Sequence, residues 1–259
     1  MLLRLKQVAV SGRLLPFSSA LDAGQLLHLV GPNSAGKSTL LSVIVGLQSA
    51  DGSIELEQRP LGDWRGNALA QVWGWLPQQQ LPLSQMPVWH YLRLHLQTAD
   101  AGTDRRLTSL LQRLQLDDKL SRLLTQLSGG EWQRVRLAAV CAQIDPQINP
   151  RGRLLILDEL LTALDLAQQK AVDDLIAELC AAGIIVIVIV IVIVIVIASS
   201  HDLNHSLQQA DCVWLMDPGD VVAQGTPAAV LTPSQLTPLY QIAFRQLEIE
   251  GRTLLTVLP

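Results

Sequence analysis

The stretch Gly31-Pro32-Asn33-Ser34-Ala35-Gly36-Lys37-Ser38-Thr39 constrains the fold more than any other part of the chain. It fits the pattern G-x-x-x-x-G-K-[ST], in which consecutive backbone N–H groups and a helix N-terminus surround phosphate oxygens. That cradle forms only where a strand runs into the loop and a helix leaves it. The flanking residues meet the condition. Leu26-Leu27-His28-Leu29-Val30 is a short apolar run, and Lys37 to Gly46 reads as a helix. The stretch therefore predicts an α/β domain with a parallel sheet, and phosphates as what it holds.

Two more segments follow in order. Leu127-Ser128-Gly129-Gly130-Glu131-Trp132-Gln133-Arg134 opens a helix, and Leu154-Leu155-Ile156-Leu157-Asp158-Glu159 is an apolar strand ending in two carboxylates. Between the loop and these segments, Val72 to Leu76 reads as a strand ending at Pro77-Gln78-Gln79-Gln80. From Pro87 to Arg122 leucines recur at mixed helical spacing. Leu166 to Cys180 alternates as a helix stopped by Gly183. The tail from Phe244 to Leu258, broken at Glu250-Gly251, predicts a terminal hairpin.

In this order the segments resemble the ATP-binding-cassette (ABC) ATPases, over nearly the whole chain. The resemblance implies one domain over 1–259. Residues 1–80 and 150–259 would form a nucleotide-binding core with a mostly parallel sheet and an N-terminal antiparallel β region. Residues 81–149 would form an inserted helical subdomain carrying the signature. It implies ATP and Mg²⁺ as ligands, with the loop Gly31 to Thr39 around the phosphates, Lys37 on the β- and γ-phosphates, and Ser38, Asp158 and Gln78 around the metal. Glu159 would orient the attacking water, and His201, after Ser199-Ser200, would contact the γ-phosphate. Ser128, Gly129, Gly130 and Glu131 would close over ATP held by another subunit, and Asp165 would belong to a loop touching that subunit.

One phosphate loop and one signature per chain call for a partner, and a homodimer is the simplest solution. Pro87 to Leu92, Leu127 to Val140 and Ser199 to His205 are similar to the ATP-binding subunits of bacterial importers of the cobalamin class, with siderophore and haem importers as the alternative. That resemblance implies two copies of a transmembrane permease, an indirect periplasmic binding protein, and a place on the cytoplasmic face of the inner membrane. The span Gln80 to Leu96 would meet the permease.

Composition excludes several other classes. A net charge of −4 gives no basic footprint for nucleic acid. Cys141, Cys180 and Cys212 are scattered and read as reduced thiols. Met1 to Lys6 alternates like a first strand rather than a signal peptide. Trp73, Trp75, Trp132 and Trp214 read as packing residues.

Four features depart from the family pattern. Ser34 stands where the family has glycine, and would strain a position needing φ > 0. Leu160 replaces the proline that usually follows the catalytic glutamate. Around Ser11-Gly12-Arg13 no aromatic ring is available for adenine, leaving Arg13 as a stacking candidate. Finally, Ile184 to Ile197 is unbroken Ile and Val. It is too short and too β-branched for a membrane helix, and as one strand it would span about 46 Å, against a usual strand of about 5–6 residues. Its period of two leaves register poorly specified. We expect a dipeptide expansion, with extra residues looped out or overrunning the sheet edge. The departures also raise a second expectation, a subunit that binds ATP but hydrolyses it poorly.

Overall fold

The computed structural model describes residues 1–78, 81–82, 84–96, 100–158, 164–190 and 201–257; for His201 and Asp202 it describes the backbone alone. In chain order the first elements are β1 (Leu3–Val10), β2 (Leu14–Leu21), β3 (Leu26–Val30), α1 (Lys37–Ile44), β4 (Asp51–Leu56), β5 (Arg59–Pro60), α2 (Gly66–Leu69), β6 (Trp73–Leu76), α3 (Val88–Leu94) and α4 (Ala101–Arg113). Then come α5 (Gly129–Ile144), β7 (Leu154–Asp158), α6 (Leu166–Ala181), β8 (Ile185–Val190), α7 (His201–Gln209), β9 (Cys212–Asp217), β10 (Asp220–Gly225), α8 (Pro227–Val230), α9 (Pro233–Tyr240), β11 (Phe244–Ile249) and β12 (Arg252–Val257). They fall into two compact units. One comprises Met1–Trp64 with Ile187–Pro259, the other Arg65–Val186.

In the first unit, an antiparallel sheet runs in the order β2-β1-β4-β5. A second set of strands runs β10-β9-β3-β8, with β3 parallel to β9 and β10 antiparallel to it. β3 is buried along its whole length, as expected of a strand covered on both faces. The two sets meet at Phe17, whose ring stands edge-on to Trp214 at 5.8 Å. A backbone bond from Leu15 N to Gly219 O at 2.6 Å adds to this contact. Trp214 is fully buried, in keeping with a packing role.

The terminal hairpin forms where the sequence signals it. β11 and β12 pair antiparallel up to Ile249 and Arg252. Glu250 and Gly251 both take positive φ, 51° and 75°, the handedness that matches strand twist in two-residue hairpins. The hairpin is held to α7 by Asn204, whose side chain donates to Leu255 O at 3.0 Å and accepts from Leu255 N at 2.7 Å.

In the second unit β6 and β7 pair in parallel. The helices of the expected insert, α3, α4 and α5, all lie here. α5 is buried from Trp132 to Ala142, a helix surrounded by protein rather than amphipathic. Arg106 of α4 pins two neighbours. Its guanidinium meets Asp145, at the end of α5, at 2.6 Å and Glu178 of α6 at 2.5 Å. Arg113 also pairs with Glu178.

Six residues of the Ile/Val tract form β8, and all six are buried. This is an ordinary strand length; residues 191–200 lie outside the described part. Among the described residues no helix is long and apolar enough to cross a membrane.

Candidate functional site

The first unit carries the phosphate loop. β3 delivers Val30 beside Leu215 of β9, and the chain then passes so close to the neighbouring strand that a Cβ on Gly31 would lie 2.5 Å from Met216 O. Only glycine fits there. The loop closes through Ala35 N to Pro32 O at 3.2 Å, and Ala35 O accepts from Gly219 N at 3.1 Å. Gly36, with φ 97°, turns the chain into α1 as its N-cap, a left-handed conformation that glycine adopts without side-chain strain. No side chain caps α1, and no acidic residue sits in its first turn. Its leading N–H groups and the positive end of its dipole are therefore available to an anion.

Lys37 is 7% exposed, and its ammonium is drawn back over the loop, donating to Gly31 O at 2.7 Å and Pro32 O at 2.8 Å. Both of these acceptors are neutral carbonyls. Ser38, next in α1, is exposed. Ser34 has φ 66°, so the condition for strain at this position is met. Its hydroxyl donates to Asn33 O, a local bond of the kind that short polar side chains use to tolerate this region. Arg13 lies beside the same loop. A Cβ on Gly36 would be 3.3 Å from Arg13 O, and Arg13 itself is exposed.

The second unit carries the signature, Gln78, Asp158 and Asp165. Ser128 is the N-cap of α5 in a reciprocal capping box. Glu131 N donates to Ser128 Oγ at 3.2 Å, and Ser128 N donates to Glu131 Oε2 at 2.8 Å. The backbone donor from Ser128 holds the Glu131 carboxyl below its ordinary range, with help from Lys119 and Arg122. Ser128 and Gly129 are exposed at the helix start, so this N-terminus can also meet an anion. Trp132, one turn in, is buried with the Tyr91 ring edge-on at 5.1 Å, and so serves packing.

Asp158 ends β7 and is 6% exposed, a carboxylate at the carboxyl end of a parallel strand, where ligands of α/β sheets bind. Gln78 sits just past β6 in an exposed bend. Asp165 caps α6 by accepting from Gln168 N at 2.8 Å. Glu159 and Leu160 lie outside the described residues. So does the side chain of His201, although its backbone begins α7.

Sequence reading missed two polar nodes, because each joins residues far apart in the chain. In the first unit, His28 of β3 is buried against α7, with Nδ1 2.8 Å from Ser206 Oγ. In the second, Arg136 of α5 donates to Pro77 O at 2.7 Å. A polar residue inside an otherwise apolar run was the one signal available for either.

Comparison with known proteins shows the family. The family model described as "ABC transporter" matches residues 14–162. The vitamin B12 import ATP-binding protein BtuD of Salmonella heidelberg (strain SL476) is 49% identical over 254 residues, covering 98% of this chain and 97% of that protein. The protein of the same description in Escherichia coli O45:K1 is 48% identical over 253 residues, with 98% and 97% covered. Among solved structures, the ATP-binding subunit of an ABC transporter superposes with a TM-score of 0.77 at 24% identity, covering 93% of this chain and 98% of the other. The fold is thus the ABC ATPase α/β fold, with a parallel-rich sheet and antiparallel sheets beside it. The chain belongs to the ABC transporter family, as an ATP-binding subunit whose ATPase activity is coupled to transport.

Proposed function

We propose that this chain is the ATP-hydrolysing subunit of a bacterial importer of vitamin B12 (cobalamin). The observation that carries the substrate is the 49% identity over 98% of the chain to vitamin B12 import ATP-binding proteins. Nothing in the motif chemistry would touch cobalamin. In this reading the chain works as a homodimer on the cytoplasmic face of the inner membrane, bound to two copies of a transmembrane permease that receives its cargo from a periplasmic binding protein.

The residues act by positioning and electrostatics, as phosphoryl transfer requires. The loop Gly31, Pro32, Asn33, Ser34, Ala35, Gly36 and the start of α1, from Lys37 to Thr39, cradle the phosphates with backbone N–H groups. Lys37 exchanges its two carbonyl acceptors for the β- and γ-phosphate oxygens. Ser128, Gly129, Gly130 and Glu131 of the second subunit present the start of α5 to the same phosphates, with Asp165 at the contact between subunits. Glu159 orients the attacking water, and His201 donates to the γ-phosphate.

The hard oxygen donors of Ser38, Asp158 and Gln78 suit Mg²⁺, which is held by few protein ligands together with substrate phosphates. Among the described residues no group of three or more His, Cys, Asp or Glu is gathered to hold a metal alone. Bound with ATP, Mg²⁺ would neutralise charge developing on the phosphate oxygens.

The test is complementation. The chain, expressed in a bacterium lacking its own vitamin B12 import ATPase but retaining the permease, should restore uptake of labelled cobalamin. Restored uptake of a ferric siderophore or haem, without cobalamin, would favour an importer of those substrates instead. The positive φ of Ser34 favours one further reading, a subunit with impaired hydrolysis. It predicts ATP binding without turnover.

A further inference from the structure

Arg136 is 4% exposed in the middle of α5, and the roles assigned above leave it unused. Its guanidinium donates through Nη2 to Pro77 O at 2.7 Å and through Nη1 to Gln133 Oε1 at 3.1 Å. Both acceptors are neutral, and no carboxylate among the described residues pairs with it. A buried cation held only by neutral acceptors is costly, and an apolar side chain of similar volume would pack at lower cost. Stability alone therefore gives no reason for an arginine here. What the guanidinium fixes is the carbonyl of Pro77, and the next residue is Gln78.

We propose that Arg136 is a positioning residue: by holding the Pro77 carbonyl it fixes where Gln78 stands. This rests on the role given to Gln78 above. The chemistry affected is ATP hydrolysis rather than ATP binding.

A double-mutant cycle on the full-length chain tests it, with kcat and KM for ATP and the thermal midpoint measured for each variant. Arg136→Met should lower kcat by about tenfold, because a small misplacement of a positioning group is costly to rate, with KM changed by less than about twofold and an unlowered midpoint. Added to Gln78→Ala, it should cause no further loss, as expected of residues acting through one another. Arg136→Lys keeps the charge without the planar fork; it should recover part of kcat, and it carries the test if the Met variant fails to fold. Losses that multiply in the double variant, unchanged kcat in both Arg136 variants, or a lowered midpoint with a raised KM would overturn the proposal while leaving Gln78 in its role. A Gln78→Ala variant with full activity would instead overturn the role of Gln78.

Discussion

Lowering the pH from 7 to 5 should destabilise the fold through His28, a residue on the strand that leads into the phosphate loop. Its ring is 1% exposed, bonded to Ser206 Oγ and stacked on the His205 ring at 5.8 Å. Burial, and then the neighbouring His205, lower its pKa to about 3. In the unfolded chain the same ring titrates near 6.5. Between those values the unfolded chain binds a proton that the folded chain does not. Stability is therefore full above pH 6.5 and falls as the pH drops toward 3, by up to about 1.4 kcal/mol per pH unit. From pH 7 to pH 5 the loss is about 2 kcal/mol, a substantial share of a typical domain's stability. His28→Gln keeps a polar group near Ser206 but cannot titrate. It should start about 1–2 kcal/mol less stable at pH 7, through lost packing, and then show a pH slope flatter by about 2 kcal/mol over the same interval. Urea unfolding followed by tryptophan fluorescence at pH 7, 6 and 5 measures both chains. Parallel slopes for the two would refute this placement of His28.

Other perturbations have equally definite outcomes. Ser34→Gly should relieve about 1 kcal/mol of left-handed strain and tighten ATP binding severalfold in a calorimetric titration, while the entropy glycine gains in the unfolded chain leaves the thermal midpoint nearly unchanged. Unchanged affinity would show that the loop tolerates serine. Arg106→Met leaves Asp145, which is buried, without its cation and should cost about 3 kcal/mol in urea unfolding; a cost below about 1 kcal/mol would show that the pair is dispensable. Deleting Ile191–Val194 leaves all six residues of β8 and keeps the two-residue alternation. It should preserve or raise soluble yield with unchanged circular dichroism. Deleting Ile185–Val194 instead removes β8 itself and leaves four Ile/Val residues, Ile184, Ile195, Val196 and Ile197, in its place.

The parts of the fold legible in the sequence are those set by local chemistry. Gly31 and Gly36 mark the loop because a close strand and a left-handed turn admit nothing else, and Glu250-Gly251 marks the hairpin for the same reason. β8 shows the limit. Every residue of the tract is an equally good strand former, so nothing in its pattern says where the strand stops. The partners of His28, Arg106 and Arg136 were hidden for a different reason. Ser206, Asp145 and Pro77 are 178, 39 and 59 residues away, and the periodicity of one element carries no information about another. Of the candidate site, the phosphate loop, Asp158, the α5 start and the Asp165 cap lie among the described residues. Glu159 and the His201 side chain rest on the sequence alone.

Mg²⁺-dependent ATP hydrolysis by the purified full-length chain, with Glu159→Gln as the control, tests the central claim most directly. The expected result is turnover that requires Mg²⁺ and disappears in the variant while ATP binding persists. Turnover undiminished in Glu159→Gln, or none in either chain despite ATP binding, would contradict the assignment of this subunit as an active ATPase built on these residues.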